Sequence, residues 1–264
     1  MSVSLSPHVL TVVVSRLRAA GCVYAEDEAR LLLSTAATAA DLAVMVDRRV
    51  AGLPLEHVVG WAEFCGLRIA VDPGVFVPRR RTEFLASQAI ARVRPGALVV
   101  DVCCGSGAVG AALAAAVEDV ELHAVDIDPT AVACARRNLV ACGGRVHQGD
   151  LYAPLPAWLH GRVDVLVANA PYVPTREVRR LPREARLYEP RVALDGGTDG
   201  LAVVGRVSAA ASGWLAPGGQ LLIEISERQA PRAAETFIRD GLIARVASSE
   251  ELSATVVIGT RPPF

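Results

Sequence analysis

Val99-Val-Asp-Val-Cys-Cys-Gly-Ser-Gly-Ala108 runs from an apolar segment through a glycine turn into the alanine-rich stretch Ala108–Val117. Valines favour a pleated strand and alanines a helix, so the order reads strand, tight turn, helix. Such a turn lets a ligand approach the backbone, and the helix start beyond it presents unpaired N–H groups. The next apolar run, Glu121–Ile127, ends in Val125-Asp126-Ile127, and a third, Gly144–His147, leads into Gly149-Asp150-Leu151. A glycine turn followed by two acid-tipped strands predicts a βαβ unit whose ligand crevice lies at the strand ends.

Outward from this unit the same texture continues. Apolar runs at Ala97–Cys103, Val163–Asn169, Gln220–Ile225, Ile243–Ala247 and Ala254–Gly259 complete the set, with helical stretches at Thr82–Val93, Pro129–Ala141 and Gly200–Trp214. Strands apolar throughout that alternate with helices imply an α/β fold, a parallel sheet doubly wound by helices on both faces. The short polar turn Ser248-Ser-Glu-Glu251 joins the last two runs as a hairpin, so one strand of the sheet should run antiparallel. Upstream, Leu10, Val13, Val14 and Leu17 form a helical stripe. Ala25, Ala29, Leu32 and Leu33 form a second, and Leu42, Met45, Val46 and Val50 a third. These predict a helical bundle over residues 1–60. Residues 61–78 alternate around Asp72-Pro-Gly and predict a β-hairpin linker, which leaves 79–264 for the α/β domain.

Composition narrows the function. The 264 residues carry a formal net charge of −1, and all 27 basic residues are arginine. A near-neutral balance argues against non-specific nucleic-acid binding. The uncharged stretch Val102–Val117 contains three glycines and is shorter than the roughly 20 residues a membrane helix needs. MSVSLSPHVL has neither a basic start nor a long apolar core, so no signal peptide and no membrane partner are expected. The six cysteines (22, 65, 103, 104, 134 and 142) show no CxxC spacing, and no metal site is expected. Reduced, mostly buried thiols in a cytoplasmic protein are the expectation, and in the absence of an obvious exposed apolar stripe, a monomer.

Two cofactors suit strand, glycine turn, helix and acid. Gly105-Ser-Gly-Ala-Val-Gly110 matches the G-x-G-x-x-G of nicotinamide dinucleotide sites. However, Asp101 just before the turn would repel a pyrophosphate, whereas it suits the cationic sulfonium or amino group of S-adenosylmethionine. Asp126, with Ile127 beside it, is placed to accept from both ribose hydroxyls, and Asp150 to accept from the adenine amino group.

The fourth strand ends Val167-Ala-Asn169-Ala170-Pro171-Tyr172. The Asn169 side-chain oxygen and the Ala170 carbonyl can accept both hydrogens of a planar –NH₂. Pro171 restricts Ala170 to extended geometry, and Tyr172 offers a ring face to the acceptor. This would hold an amide or aromatic amine toward a methyl donor.

At these residues the chain resembles the protein-(glutamine-N5) methyltransferases of peptide-chain release factors, the HemK family, over nearly its whole length. The matching segments are Pro54-Leu-Glu-His-Val-Val-Gly-Trp-Ala-Glu-Phe64, Pro73-Gly-Val-Phe-Val-Pro-Arg79, Asp101–Gly107, Val125-Asp-Ile-Asp-Pro129, Gly149-Asp-Leu151 and Asn169-x-Pro-Tyr172. The most specific is Tyr188-Glu-Pro-Arg-Val-Ala-Leu-Asp-Gly-Gly-Thr-Asp-Gly-Leu201. The resemblance implies a small N-terminal helical domain for substrate recognition, a hairpin, and a seven-stranded, Rossmann-like class I methyltransferase domain. It also implies that Cys103, Cys104, Gly105, Ser106, Gly107, Asp126, Leu151 and Asn169 contact S-adenosylmethionine, which leaves as S-adenosylhomocysteine. Asn169 to Tyr172 would then grip the acceptor glutamine of a release factor.

Three positions depart from the family. Its Asn-Pro-Pro-Tyr is here Asn169-Ala-Pro-Tyr172, which keeps the carbonyl but loosens the loop. Its first turn glycine is Cys103, which a negative φ would tolerate. Its Pro-Arg-Pro-Glu-Thr is Pro78-Arg79-Arg80-Arg81-Thr82, a charge reversal expected at the rim of the acceptor site. The same fold acting on another planar nitrogen, of a nucleic-acid base or a small metabolite, is the alternative reading. A nicotinamide-dependent oxidoreductase or nucleotide-binding module is the third. Arg176–Arg186 holds five arginines and reads either as a solvated, partly self-paired face or as a docking surface for an acidic partner. Gly218-Gly-Gln220 spells the tripeptide such enzymes modify but reads as a turn entering a strand.

Overall fold

A computed structural model describes residues 7–263; the leader reading of Met1–Ser6 lies outside the described residues. The chain opens with α1 (Pro7–Ala19), α2 (Ala25–Thr35), α3 (Ala39–Val50) and α4 (Leu55–Val59). The predicted stripes form their common core through Val13, Leu17, Ala29, Leu32, Leu33, Leu42 and Val46, joined by Val58 of α4, a helix the sequence reading did not foresee. Val50 departs from its stripe and is 38% exposed. A reciprocal cap starts α3: Thr38 Oγ1 accepts from Asp41 N at 3.1 Å and Asp41 accepts from Thr38 N at 3.0 Å. Inside the bundle, Arg49 of α3 donates twice to Glu28 of α2, at 2.6 and 3.0 Å.

The hairpin follows as β1 (Trp61–Phe64) and β2 (Leu67–Ala70), but it turns at Cys65-Gly66 rather than at Asp72-Pro-Gly. Both central residues have positive φ, +50° and +74°, the two-residue turn whose twist matches paired strands. Asp72 closes a separate turn afterwards, where Val75 N donates to its carbonyl at 3.1 Å.

Next come α5 (Thr82–Ile90), β3 (Leu98–Val102), α6 (Ala108–Ala116), β4 (Glu121–Asp126), α7 (Pro129–Leu139), β5 (Arg145–Gln148) and β6 (Val163–Ala168). Two short helices, α8 (Thr175–Val178) and α9 (Arg183–Tyr188), precede α10 (Ala202–Trp214), β7 (Leu215–Ile225), α11 (Ala230–Arg239), β8 (Ile243–Ser249) and β9 (Ala254–Thr260). The seven strands from β3 to β9 form one sheet in the order β5-β4-β3-β6-β7-β9-β8. As the polar turn implied, one strand is reversed: β9 runs antiparallel to both neighbours. It lies between β7 and β8 rather than at the edge, because β8 crosses over first and β9 returns beside β7.

Alternate residues of each strand feed two cores. Val100, Val102 and Leu166 pack with Val207 and Phe237 of α10 and α11; Val99, Val165 and Val167 pack with Leu85 and Leu113 of α5 and α6. Both faces are therefore dry. The chain reverses direction across the sheet between β3 and β6, which opens a crevice at the carboxyl ends of these strands. The Gly-Gly-Gln tripeptide lies elsewhere. Gly218 and Gly219 sit in a bulge of β7, and Gln220 Nε2 donates to Thr260 Oγ1 at 2.8 Å.

Candidate active site

Two cavities meet in that crevice, sharing Phe76, Asn169, Pro171 and Ala193 as a common wall. The first receives the glycine turn. Gly105 N donates to Asp126 Oδ2 at 2.8 Å, and Cys104 N to Val125 O at 3.0 Å, so the tip of β4 holds the loop that follows β3. Asp126 Oδ1 also accepts from Asp128 N at 3.0 Å. Both carboxylate oxygens are thus oriented by backbone, each with a second lone pair unused by these bonds, and Asp126 lines the cavity. A Cβ on Gly105 would meet nothing within 4 Å, so this backbone faces open space. Gly107 is set back instead: it precedes α6 and packs against Leu139 and Ala135.

Cys103 has φ +59°, so the exchange for the family's glycine falls where an L-residue is strained. Asp101 is fully buried, and its Oδ2 accepts from Gly110 N at 3.1 Å. Burial pushes its carboxyl up to about 7, against the Gly110 hydrogen bond and with help from the Asp126 charge. Burial likewise raises the Cys103 and Cys104 thiols, with Asp101 and Asp126 adding to it, so neither is a ready thiolate. Of the six cysteines only Cys104 and Cys134 are buried, fewer than the sequence suggested, and none is in a disulfide. Asp150 reaches the cavity but is paired at 2.6 Å with Arg206 of α10, a lining residue that sequence reasoning missed. Of the residues expected at the cofactor, Asp101, Cys103–Ser106, Asp126, Ile127, Asp150, Leu151 and Asn169 line this cavity, and Gly107 does not.

The second cavity, of about 470 Å³, lies beyond Asn169. Asn169 Nδ2 donates to Thr82 Oγ1 at 3.3 Å, and Asn169 lines both cavities. Ala170, Pro171 and Tyr172 line the second cavity. The Tyr172 hydroxyl donates to Glu224 Oε1 at 3.0 Å, and the same oxygen accepts from Arg81 Nε at 3.2 Å. Arg81 also sits 5.7 Å from the Tyr172 ring centre. Burial raises the Tyr172 phenol, with the Glu224 charge adding to it. Arg79 reaches Glu189 Oε1 at 2.5 Å, and Val77 N donates to that oxygen at 3.3 Å. Burial raises the Glu189 carboxyl, with Arg79 opposing. Arg79 and Arg81 therefore line the cavity as expected, while Arg80 is exposed outside it.

The Tyr188–Leu201 segment braces this loop. Val173 N donates to Leu194 O at 3.1 Å, and Gly196 N to Val173 O at 2.9 Å. A Cβ on Gly196 would lie 2.6 Å from Pro171 O, so only glycine allows the two backbones to touch. Gln229 closes the other side, with Nε2 donating to Tyr172 O and Asp199 O, both at 3.0 Å. Thr82, Glu224 and Gln229 were not picked out from sequence. Of these, only Glu224 left a signal, a lone acid inside an apolar strand. Among the described residues no group of three or more His, Cys, Asp or Glu could hold a metal, and no helix is long and apolar enough to cross a membrane.

Residues 66–186 match the Methyltransferase small domain family. The chain is 37% identical over 219 residues to the release factor glutamine methyltransferase of Geobacter sulfurreducens, covering 82% of this chain and 76% of that protein. It is also 37% identical over 210 residues to the 4-amino-L-phenylalanine/4-methylamino-L-phenylalanine methyltransferase of Streptomyces pristinaespiralis, covering 77% and 71%. Among solved structures, a methyltransferase from Pyrococcus furiosus aligns with TM-score 0.57 at 18% identity, over 75% of this chain and 90% of that one, a likeness of fold.

Proposed function

Because this chain belongs to the release factor glutamine methyltransferase family, we propose that it methylates the side-chain amide nitrogen of the Gly-Gly-Gln glutamine in a peptide-chain release factor, in the cytoplasm. One observation carries the reading. Asn169, its amide nitrogen engaged by Thr82, lines both cavities where they meet, and Ala170 lines the second beside it.

The first cavity suits S-adenosylmethionine: Gly105 opens its backbone to the space, Asp126 offers free lone pairs, and buried Asp101 suits a cation. When bound, that cofactor supplies an electrophilic methyl group on a positively charged sulfur. The residues of the chain do the rest. An amide nitrogen is a weak nucleophile because its lone pair is delocalised into the carbonyl. Asn169 Oδ1 and the Ala170 carbonyl accept its two hydrogens and aim the lone pair at the first cavity, and they stabilise positive charge as it grows on the nitrogen. Positioning of this kind can supply roughly 7–11 kcal/mol. Once methylated, the nitrogen is acidic enough to release its proton to water, so no strong base is required.

A second reading has a specific observation behind it. A cavity of about 470 Å³ exceeds the needs of one glutamine side chain, and Arg81 brings a cation where the family has an acid. An aromatic amine carrying a carboxylate would suit it, as the name of the Streptomyces relative illustrates.

The test is methyl transfer from labelled S-adenosylmethionine to purified release factor, with its Gly-Gly-Gln glutamine substituted as the control. Label that disappears with the substitution supports the glutamine reading. Absence of label on the factor, with label on 4-amino-L-phenylalanine, would replace it by the second.

A further inference from the structure

The outer wall of the second cavity is built by the α8–α9 segment, through Leu181, Pro182, Glu184 and Ala185. Around these lining residues Arg176, Arg179, Arg180, Arg183 and Arg186 all point to solvent. The segment has two acids of its own. Glu184 is paired with Arg49 at 2.5 Å, and Glu177 makes only a loose contact with Arg176 at 3.8 Å. Five exposed arginines therefore stand against two carboxylates, one of them already paired with Arg49, on a chain whose formal net charge is −1. Exposed Arg80 adds a further cation beside the cavity-lining Arg79 and Arg81.

We propose that this arginine collar docks an acidic surface of the polypeptide that carries the acceptor glutamine, a proposal that rests on the reading of a protein acceptor. Opposed charge at the mouth of a cavity raises the encounter rate and fixes the approach of the partner. Two features favour a polypeptide over a nucleic acid. Leu187, 53% exposed, follows exposed Arg186 in α9, and a mixture of arginine and exposed apolar side chains suits a protein interface. Single-stranded nucleic acid is held by exposed aromatic rings, and the one aromatic residue of α9, Tyr188, turns its hydroxyl to Ala51 O at 3.4 Å.

Fluorescein-labelled poly-L-glutamate is titrated with the protein at about 50 and about 300 mM salt. The variants are Arg179→Gln/Arg180→Gln/Arg183→Gln/Arg186→Gln and, as a control, Arg94→Gln/Arg245→Gln in other parts of the surface. The parent and control should bind alike, with Kd rising about tenfold between the two salts, and the quadruple variant should lose about tenfold at low salt. A retained melting shift with S-adenosylmethionine shows that the variant is folded. Equal binding by parent and quadruple variant would overturn the collar, and tighter binding of poly-U than of polyglutamate would overturn its partner. Collar-dependent binding without methylation of release factor would leave the collar standing and remove the acceptor assignment. Methylation of release factor at equal kcat/KM by parent and quadruple variant would do the reverse.

Discussion

Arg49 and Glu184, 135 positions apart in the chain, meet at 2.5 Å and tie the N-terminal helices to the wall of the second cavity. Arg49 is itself held by Glu28, and burial works against its charge while the hydrogen bonds from Glu28 and Glu184 carry its pKa upward. Glu184→Gln keeps the Glu28 pair and weakens only the outer arm. The acceptor KM should rise about fivefold while cofactor affinity is unchanged, as read by steady-state kinetics and calorimetry. Arg49→Met leaves Glu28 buried and unpaired, and should cost about 3–5 kcal/mol in urea unfolding.

Cys103 occupies a left-handed backbone conformation that suits glycine. Cys103→Gly should relieve about 1 kcal/mol of strain and raise the melting temperature of the ligand-free protein, measured by calorimetry. A lower melting temperature would mean that the packing of the cysteine side chain outweighs the strain.

Asp101 gives a pH signature. Its folded-state pKa is pushed up to about 7 from 3.8, so between those values the folded protein holds a proton that the unfolded chain has released. The stability this confers is complete below about pH 4 and is lost as pH rises through about 7. Asp101→Asn carries no such titration. Its stability relative to the parent should improve by roughly 4 kcal/mol between pH 4 and pH 8, followed by chemical unfolding at each pH. In the parent, a cationic ligand favours the ionised carboxylate, so S-adenosylmethionine should bind more tightly as pH rises from 6 to about 8. Asp101→Asn should flatten that dependence.

Asn169 is held by Thr82, and in the proposed reaction its oxygen accepts from the acceptor amide. Asn169→Ala should lower kcat about 100- to 1000-fold. Thr82→Val removes only the hydrogen bond that orients the amide, and the loss should be smaller, about tenfold. Single-turnover methyl transfer with saturating cofactor separates the two. Equal losses would mean that orientation, rather than the oxygen itself, limits the reaction.

The sequence by itself determined what depends on local patterning. Apolar runs that alternate with helices specify a sheet covered on both faces. A glycine turn between strand and helix, followed by an acid at the next strand tip, specifies where the first cavity opens. Asn169 to Tyr172 could be placed at the crevice because strand ends face it. Tertiary structure alone decided which partners these residues have. The turn of the hairpin fell at Cys65-Gly66 because strand pairing selected a site that allows two positive φ values, where sequence favoured Asp72-Pro-Gly. Glu224 and Arg81, 143 positions apart, share a carboxylate oxygen with Tyr172, and Glu189 joins Arg79 across 110 positions. Such pairings arise when distant segments pack and buried charges must find counter-ions, a requirement that leaves no period or spacing in the chain.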